Sequence, residues 1–180
     1  MLRYSVEYVM NKFAVAGIIV ALLGVPALAQ ESPKPGPEHD VLKKLVGNWD
    51  TTMKMGGMDS KGTVTYKMEL GGLWLTSSME SELLGQKFTG RGLDSYDAGK
   101  KKYVGVWADA MMTFLAPGEG TWDPATQTMT FLYEATIGEK HIKWRQTTQS
   151  VDADTRVFMS FVPDTADKPM MKVTYRRTSS

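Results

Sequence analysis

Apolar and polar residues alternate with a period of two through most of the chain after Trp49. From Thr63 to Leu70 every second residue, beginning with Val64, is apolar or aromatic, and the residues between them are polar or charged. A strand with one buried face has this pattern. Similar runs predict further strands at 73–82, 86–97, 102–108, 111–116, 128–134, 140–149, 156–162 and 170–177.

One segment before these strands has a helical pattern instead. Pro37 suits the first position of a helix, Glu38 and Asp40 follow in the first turn, where the helix dipole favours anions, and Gly47 ends the segment. The apolar residues between positions 41 and 46 lie on one stripe. The sequence therefore predicts a short N-terminal helix that packs against an apolar surface.

Short turns between closely spaced strands are typical of an antiparallel meander. Closure into a barrel is the best way for such a meander to hide its edges, so we expect an all-β, up-and-down barrel of about 8–10 strands. Gly90 and Gly92 lie two apart within one strand and predict a bend or a close approach there. An open β-sandwich is the alternative. Much of the core is expected from the tryptophans Trp49, Trp74, Trp107, Trp122 and Trp144.

The N-terminus has the order of a secretory signal peptide. Lys12 precedes an uncharged apolar run at 13–25, and the small-x-small tripeptide 27–29 follows. We expect cleavage after Ala29 and a secreted or periplasmic protein, with translation starting at Met1 or at Met10. An uncleaved anchor is the alternative, but the apolar run is shorter than the roughly 20 residues that span a bilayer.

The rest of the chain is predicted to be one domain. Residues 30–36 are polar and rich in proline, as in a disordered leader, and residues 37–180 suit a single barrel domain. Once residues 1–29 are removed, acidic and basic residues balance, which favours neither nucleic acid nor a membrane surface as a partner. The chain has 0 cysteines, which excludes disulfides and thiolate chemistry.

Gly47-Asn48-Trp49 resembles the Gly-x-Trp signature of lipocalin and calycin barrels. In those barrels the tryptophan packs across the barrel floor beneath an arginine from the last strand. The resemblance implies that Trp49 has this role here, with either Arg176 or Arg177 as the arginine.

The chain as a whole resembles a bacterial family known as domain of unknown function 1579. The resemblance covers almost the whole chain after the predicted signal and implies a calycin-like barrel and export, but no established activity or catalytic residue. The matching segments are 37–42, 45–49, 70–75, 88–92, 96–97, 102–104, Trp107-x-Asp109, 120–123 and Tyr175-x-Arg177.

Catalysis by histidine has little support in the sequence. His39 belongs to the predicted helix, and His141 shares the polar face of its strand with Lys143 and Arg145. Neither arrangement suggests a Ser-His-Asp triad, and a haem site at His141 is a weak alternative. We therefore expect a protein that is not an enzyme and has no cofactor.

A methionine cluster gives the second functional hypothesis. Met53 and Met55 share a strand face, and Met58 follows a glycine turn. Spaced thioethers can bind Cu(I), although methionine also fills irregular cores.

Four carboxylates are candidates for a general acid or base: Asp94, Asp97, Asp109 and Asp123. Asp97 and Asp123 begin turns, where capping of backbone amides is the usual role. Asp109 ends a strand and is expected at the barrel mouth, so it is the carboxylate of first interest.

The leading hypothesis is non-catalytic binding of a small, largely apolar ligand inside the barrel. An antiparallel barrel of this size either fills its interior with side chains or holds one small ligand. Arg91 and Arg145 are candidate polar contacts if that ligand carries an acid. A packed barrel that binds an unknown protein partner is a further alternative. The side chains expected to face inward are Tyr66, Trp74, Phe88, Trp107, Phe131 and Trp144.

Overall fold

The computed structural model describes residues 32–83, 85–163 and 168–178. The fold lies in one compact unit, Pro33–Ser180. The predicted signal peptide at 1–29, with its cleavage point, lies outside the described residues and stays a prediction.

Within the described ranges, ten antiparallel strands follow one short helix. The helix α1 is Pro37–Lys43, and a 3-10 turn at Leu70–Gly72 joins the second and third strands. The strands are β1 (Gly47–Met55), β2 (Met58–Glu69), β3 (Trp74–Leu83), β4 (Gln86–Asp97), β5 (Lys102–Asp109), β6 (Ala116–Asp123), β7 (Thr128–Ile137), β8 (Lys140–Ser150), β9 (Thr155–Phe161) and β10 (Met171–Arg177).

Each strand pairs with its neighbours in the chain, and β1 pairs with β10 to close the barrel. The closing register runs from Trp49 opposite Arg177 to Met55 opposite Met171. The predicted up-and-down barrel is therefore confirmed, and the open sandwich is wrong because no strand edge is left unpaired among the described strands.

Helix α1 covers one end of the barrel. Leu42 is buried against Leu75 and Tyr103, and the Tyr103 hydroxyl donates a hydrogen bond to the Glu38 carbonyl at 3.1 Å. This contact ties the helix to β5. No helix within the described residues has the length and apolar character needed to cross a bilayer.

Trp49 lies at the helix end of the barrel and is 0% exposed. The Arg177 guanidinium lies 4.1 Å from the centroid of its ring, and Arg156 lies 4.8 Å away. The Trp49 indole donates a hydrogen bond to the Leu45 carbonyl at 2.8 Å. Of the two arginines that the resemblance allowed, Arg177 has the predicted role, while Arg176 points to Thr155 on the outer surface.

Gly47 is required beside this arginine. Its φ of +126° is rare for other residues, and an added Cβ would lie 2.6 Å from the Arg177 guanidinium. The Gly-x-Trp signature thus combines a backbone conformation with the space for the arginine.

The strand predicted at 111–116 is wrong. Residues 110–115 form a loop in which the Asp109 carboxylate accepts a hydrogen bond from the Met111 amide at 2.8 Å. β6 begins at Ala116 and includes Pro117 and Gly118, a pair expected in a turn. The aromatic ring of Tyr133 explains this, because it occupies the space beside Gly118 where a Cβ would lie, 2.4 Å from its nearest atom.

Candidate functional site

The barrel encloses a cavity of about 580 Å³. It extends from Leu42 of α1 to Phe114 in the loop after β5, and most of its lining is apolar. Pockets of about 300–1,000 Å³ with such linings are typical of sites for small organic ligands. A barrel interior filled with side chains, the alternative given above, does not agree with a cavity of this volume.

A stack of aromatic rings forms one wall of the cavity. The Tyr133 ring stacks on Phe131 at 5.6 Å and on Trp144 at 5.5 Å between centroids. The three rings come from adjacent strands, β7 and β8, whose register places Tyr133 opposite Trp144. They therefore offer a continuous π surface to the interior.

Glycines on β4 make room for Trp107. A Cβ at Gly90 would lie 2.1 Å from the Trp107 ring, and one at Gly92 would lie 3.2 Å from it. The close approach predicted from the two glycines is thus confirmed. The Trp107 indole is held by a hydrogen bond that it donates to Asp109 at 2.9 Å.

Asp94 is the carboxylate inside the barrel. It lies on β4 opposite Gly105, and its Oδ1 would be 2.1 Å from a Cβ at that glycine. It lines the cavity, and no group of the described residues donates a hydrogen bond to it. Burial raises the pKa of Asp94 to about 7, because the charged form has lost most of its hydration.

Two tyrosines and one arginine are among the other polar groups of the interior. Burial raises the pKa of Tyr66 well above its ordinary value, with a smaller contribution from Tyr175, and it raises that of Tyr175 to about 12. Burial lowers the pKa of Arg156 to about 10, and its guanidinium donates to the Lys44 carbonyl at 2.6 Å and to Ser150 at 3.0 Å. Arg156 is thus committed to holding the helix end of the barrel.

Most of the predicted aromatic residues line the cavity, namely Tyr66, Phe88, Trp107, Phe131 and Trp144. Trp74 is the exception and does not face inward. Its neighbour Leu75, 0% exposed, occupies the interior position, so alternation places Trp74 on the outer face. Both faces of this strand carry large apolar residues, and the sequence pattern alone did not distinguish them.

Arg91 and Arg145 lie on the outer face, which corrects their suggested place as contacts to a ligand acid. Arg91 is exposed and donates to the Gly90 carbonyl at 2.8 Å, while Arg145 covers the Phe161 ring at 3.9 Å. Each alternates with inward residues, Arg91 with its two glycines and Arg145 with Trp144.

The other acid and histidine candidates are held in structural contacts. Asp109 lies at the end of β5 away from α1, as expected, and binds Trp107 and the following loop. Asp97 and Asp123 accept hydrogen bonds from turn amides, as expected. His39 is buried and accepts a bond from the Gly36 amide at 3.0 Å.

His141 is exposed on β8, where its ring lies 3.4 Å from the Glu134 carboxylate. Within the described ranges, no group of three or more His, Asp, Glu or Cys side chains could hold a metal ion.

The methionine cluster lies at the barrel end opposite α1. Met53, Met55 and Met58 line one small cavity there. Met55 is opposite Met58 in β2 and opposite Met171 in β10, so three thioether side chains lie in one row across the sheet. Met171 was missed because its proximity depends on the closure of β1 onto β10.

Asp94 is one of the four carboxylates singled out from the sequence, which favoured Asp109 as the functional one. A signal was present, since Asp94 continues the face of β4 that carries Phe88, Gly90 and Gly92. An acid on a strand face otherwise made of apolar residues and glycine is a candidate for burial.

Solved structures similar to this chain include two of low sequence identity. An S-type phycobiliprotein lyase from Guillardia theta is 11% identical, with a TM-score of 0.53 over 79% of this chain and 93% of that one. A redesigned beta barrel is 15% identical, with a TM-score of 0.43 over 77% of this chain and 96% of that one. The former likeness supports a lipocalin-like barrel fold and no activity. No curated protein matches the chain.

The family comparison covers the whole barrel. The model of a family described as "Protein of unknown function (DUF1579)" matches residues 34–177. This range includes the helix, the ten described strands and the Gly-x-Trp signature at 47–49. The chain therefore belongs to the DUF1579 family of proteins of unknown function.

Proposed function

We propose that this protein binds a small, largely apolar molecule inside its barrel without transforming it chemically. The observation that carries the proposal is the open cavity of about 580 Å³ with its apolar lining. Because large apolar side chains otherwise pack to high density, an unfilled interior of this size costs stability unless a ligand occupies it.

The barrel end opposite α1 offers a route of entry. Five large apolar side chains are 43–66% exposed around this mouth: Met58, Met111, Leu115, Ile137 and Met170. They lie on the connections that follow β1, β5, β7 and β9 or at the strand ends beside them, and antiparallel pairing brings these connections to one end. An apolar molecule could therefore pass from the surface to the cavity over apolar side chains.

Export, indicated by residues 1–29, is part of the proposal. A cavity protein outside the cytoplasm would carry or sequester its ligand. The likeness to the phycobiliprotein lyase fold agrees with an interior site but does not identify the ligand.

The Gln146→Trp variant is expected to lose affinity for decanol by at least about tenfold. Gln146 faces the cavity from β8, so the larger indole would fill the space that the alkyl chain needs. Isothermal titration calorimetry measures the affinity, with one decanol bound per chain expected for the parent protein.

Gln149→Trp is the matched control, because Gln149 is exposed on the outer face of the same strand. It should bind decanol like the parent protein. Equal decanol binding by the two tryptophan variants, or no saturable binding by the parent protein, would contradict an interior site.

Binding of Cu(I) is a second candidate function, favoured by the row of Met58, Met55 and Met171 across three strands. Thioethers are suitable ligands for this soft cation. Replacing Met53, Met55 and Met58 together by leucine should abolish Cu(I) binding, measured by competition with a chromogenic chelator. Unchanged Cu(I) affinity in this variant would exclude the cluster.

A further inference from the structure

The cavity contains one feature that a purely apolar ligand would leave unused. The Asp94 carboxyl lines the interior and receives no hydrogen bond from the described residues. Buried carboxyl groups in proteins are almost always paired or hydrogen-bonded, because an unpaired one loses its hydration without compensation. Asp94 is half-buried at the cavity wall, so its carboxyl is open to a hydrogen-bond partner that enters the cavity.

The protein does not supply that partner from the strands around it. Within the described residues, Asp94 forms no ion pair, and Arg156, the basic residue in the cavity lining, already binds Lys44 and Ser150. The position opposite Asp94 in β5 is Gly105, which leaves the carboxyl uncovered. The space beside it opens to the cavity.

The surroundings of Asp94 are aromatic. Phe131 lies beside the carboxyl, 3.3 Å from a Cβ built on Gly105, and Tyr66 and Tyr133 are close enough to interact with its charge. Aromatic faces attract cations, and an acid within an aromatic wall is a recognised arrangement for an organic ammonium group. An anionic ligand would be repelled by the ionised Asp94 carboxylate.

We infer that Asp94 anchors the positively charged end of the cavity ligand, so that the ligand is an amphiphilic amine with an apolar skeleton and one ammonium group. The ammonium donates hydrogen bonds to the Asp94 carboxylate, while the skeleton lies along the apolar wall towards the mouth. This inference rests on the proposed function and adds the chemical class of the ligand.

Three ligands with one skeleton test it: decylamine, decanol and decanoate. At about pH 8.5 the parent protein should bind decylamine at least about tenfold more tightly than decanol, because a charge-assisted hydrogen bond replaces a neutral one. Decanoate should bind more weakly than both. Calorimetry under identical buffer conditions measures the three affinities.

The preference for the amine should depend on the charge of Asp94. The groups that interact with its charge are Tyr66 and Tyr133, which stay neutral between about pH 5 and pH 8.5, and Arg156, which also lines the cavity, stays charged over that range. Protonation of Asp94 at the acid end of this range should therefore reduce the amine preference by about tenfold or more, while decanol affinity stays constant.

Asp94→Asn keeps the shape of the side chain and removes its charge. In this variant decylamine and decanol should bind with affinities within about threefold of each other at every pH. Asp50→Asn is the matched control, because Asp50 is exposed on the outer face of β1, and it should retain the parent preference.

The outcomes separate the two proposals. Decanol binding without any amine preference, or an amine preference that persists in Asp94→Asn, would overturn the anchor and leave the cavity function standing. A parent protein that binds none of the three ligands would overturn the cavity function itself. If Asp94→Asn does not fold, the pH dependence of the parent protein decides: an amine preference that is constant from about pH 5 to pH 8.5 overturns the anchor.

Discussion

The Asp94→Asn variant is expected to be more stable than the parent protein at about pH 8 and nearly equal to it at about pH 4. The free energy of unfolding should differ by about 2 to 4 kcal/mol at the higher pH, since the shift of about three pKa units corresponds to roughly 4 kcal/mol at most. Removing a group from a binding site would thus stabilise the fold.

The sign follows from proton linkage. The pKa of Asp94 is about 7 in the folded protein and 3.8 in the unfolded reference, so the folded state holds the proton more tightly. The free energy of unfolding of the parent protein therefore falls as the pH rises from about 4 to about 7, and it levels off above that range. The asparagine variant lacks this fall.

Urea unfolding of both proteins at several pH values between about 4 and 8 measures the difference. Asp50→Asn serves again as the control and should follow the pH profile of the parent protein. Parallel profiles for Asp94→Asn and the parent would mean that Asp94 is not desolvated in the folded state.

Trp49→Ala is expected to lower the free energy of unfolding by about 3 to 5 kcal/mol. The ring is 0% exposed, lies 4.8 Å from the Arg156 guanidinium and 4.1 Å from that of Arg177, and donates a hydrogen bond to the Leu45 carbonyl. Its removal leaves a large cavity and deprives two guanidinium groups of their aromatic partner.

Trp74→Ala provides the comparison, because Trp74 is only partly buried on the outer face of β3. Its loss should cost less than about half as much in urea unfolding. Equal losses for the two variants would contradict the assignment of Trp49 to the barrel floor and of Trp74 to the outside.

Period-two alternation was sufficient to predict the barrel, because a closed sheet imposes one buried face on every strand. The pattern failed to predict a strand where the choice of residue depends on the space left by a neighbouring side chain and not on polarity. In β6, Gly118 and Gly120 are strand residues because Tyr133 and Phe131 fill the space beside them. The Pro117-Gly118 pair, taken from the sequence alone, indicates a turn instead.

Alternation also predicted part of the candidate site, namely most of the aromatic residues that line the cavity. Trp144 lies between Lys143 and Arg145, so its inward direction follows from the pattern. Trp74 and Leu75 are both large and apolar, and only the contact of Leu75 with Leu42 and Tyr103 decides between them. A local pattern of apolar and polar residues contains no information on such contacts between residues distant in sequence.

The importance of Asp94 also depends on other strands. Its burial follows from Gly105 in β5 and from tyrosines of β2 and β7, and none of these is near it in sequence. The same holds for Met171, which reaches Met55 only through the closure of the barrel. Sites whose side chains come from several strands could therefore be recognised only from the structure.

A crystal structure of the protein grown with decylamine would test the central claim most directly. The account predicts one alkyl chain inside the barrel against the stack of Phe131, Tyr133 and Trp144, with its nitrogen within about 3 Å of an Asp94 carboxylate oxygen. An interior filled by rearranged side chains, or an amine bound only at the outer surface, would contradict it.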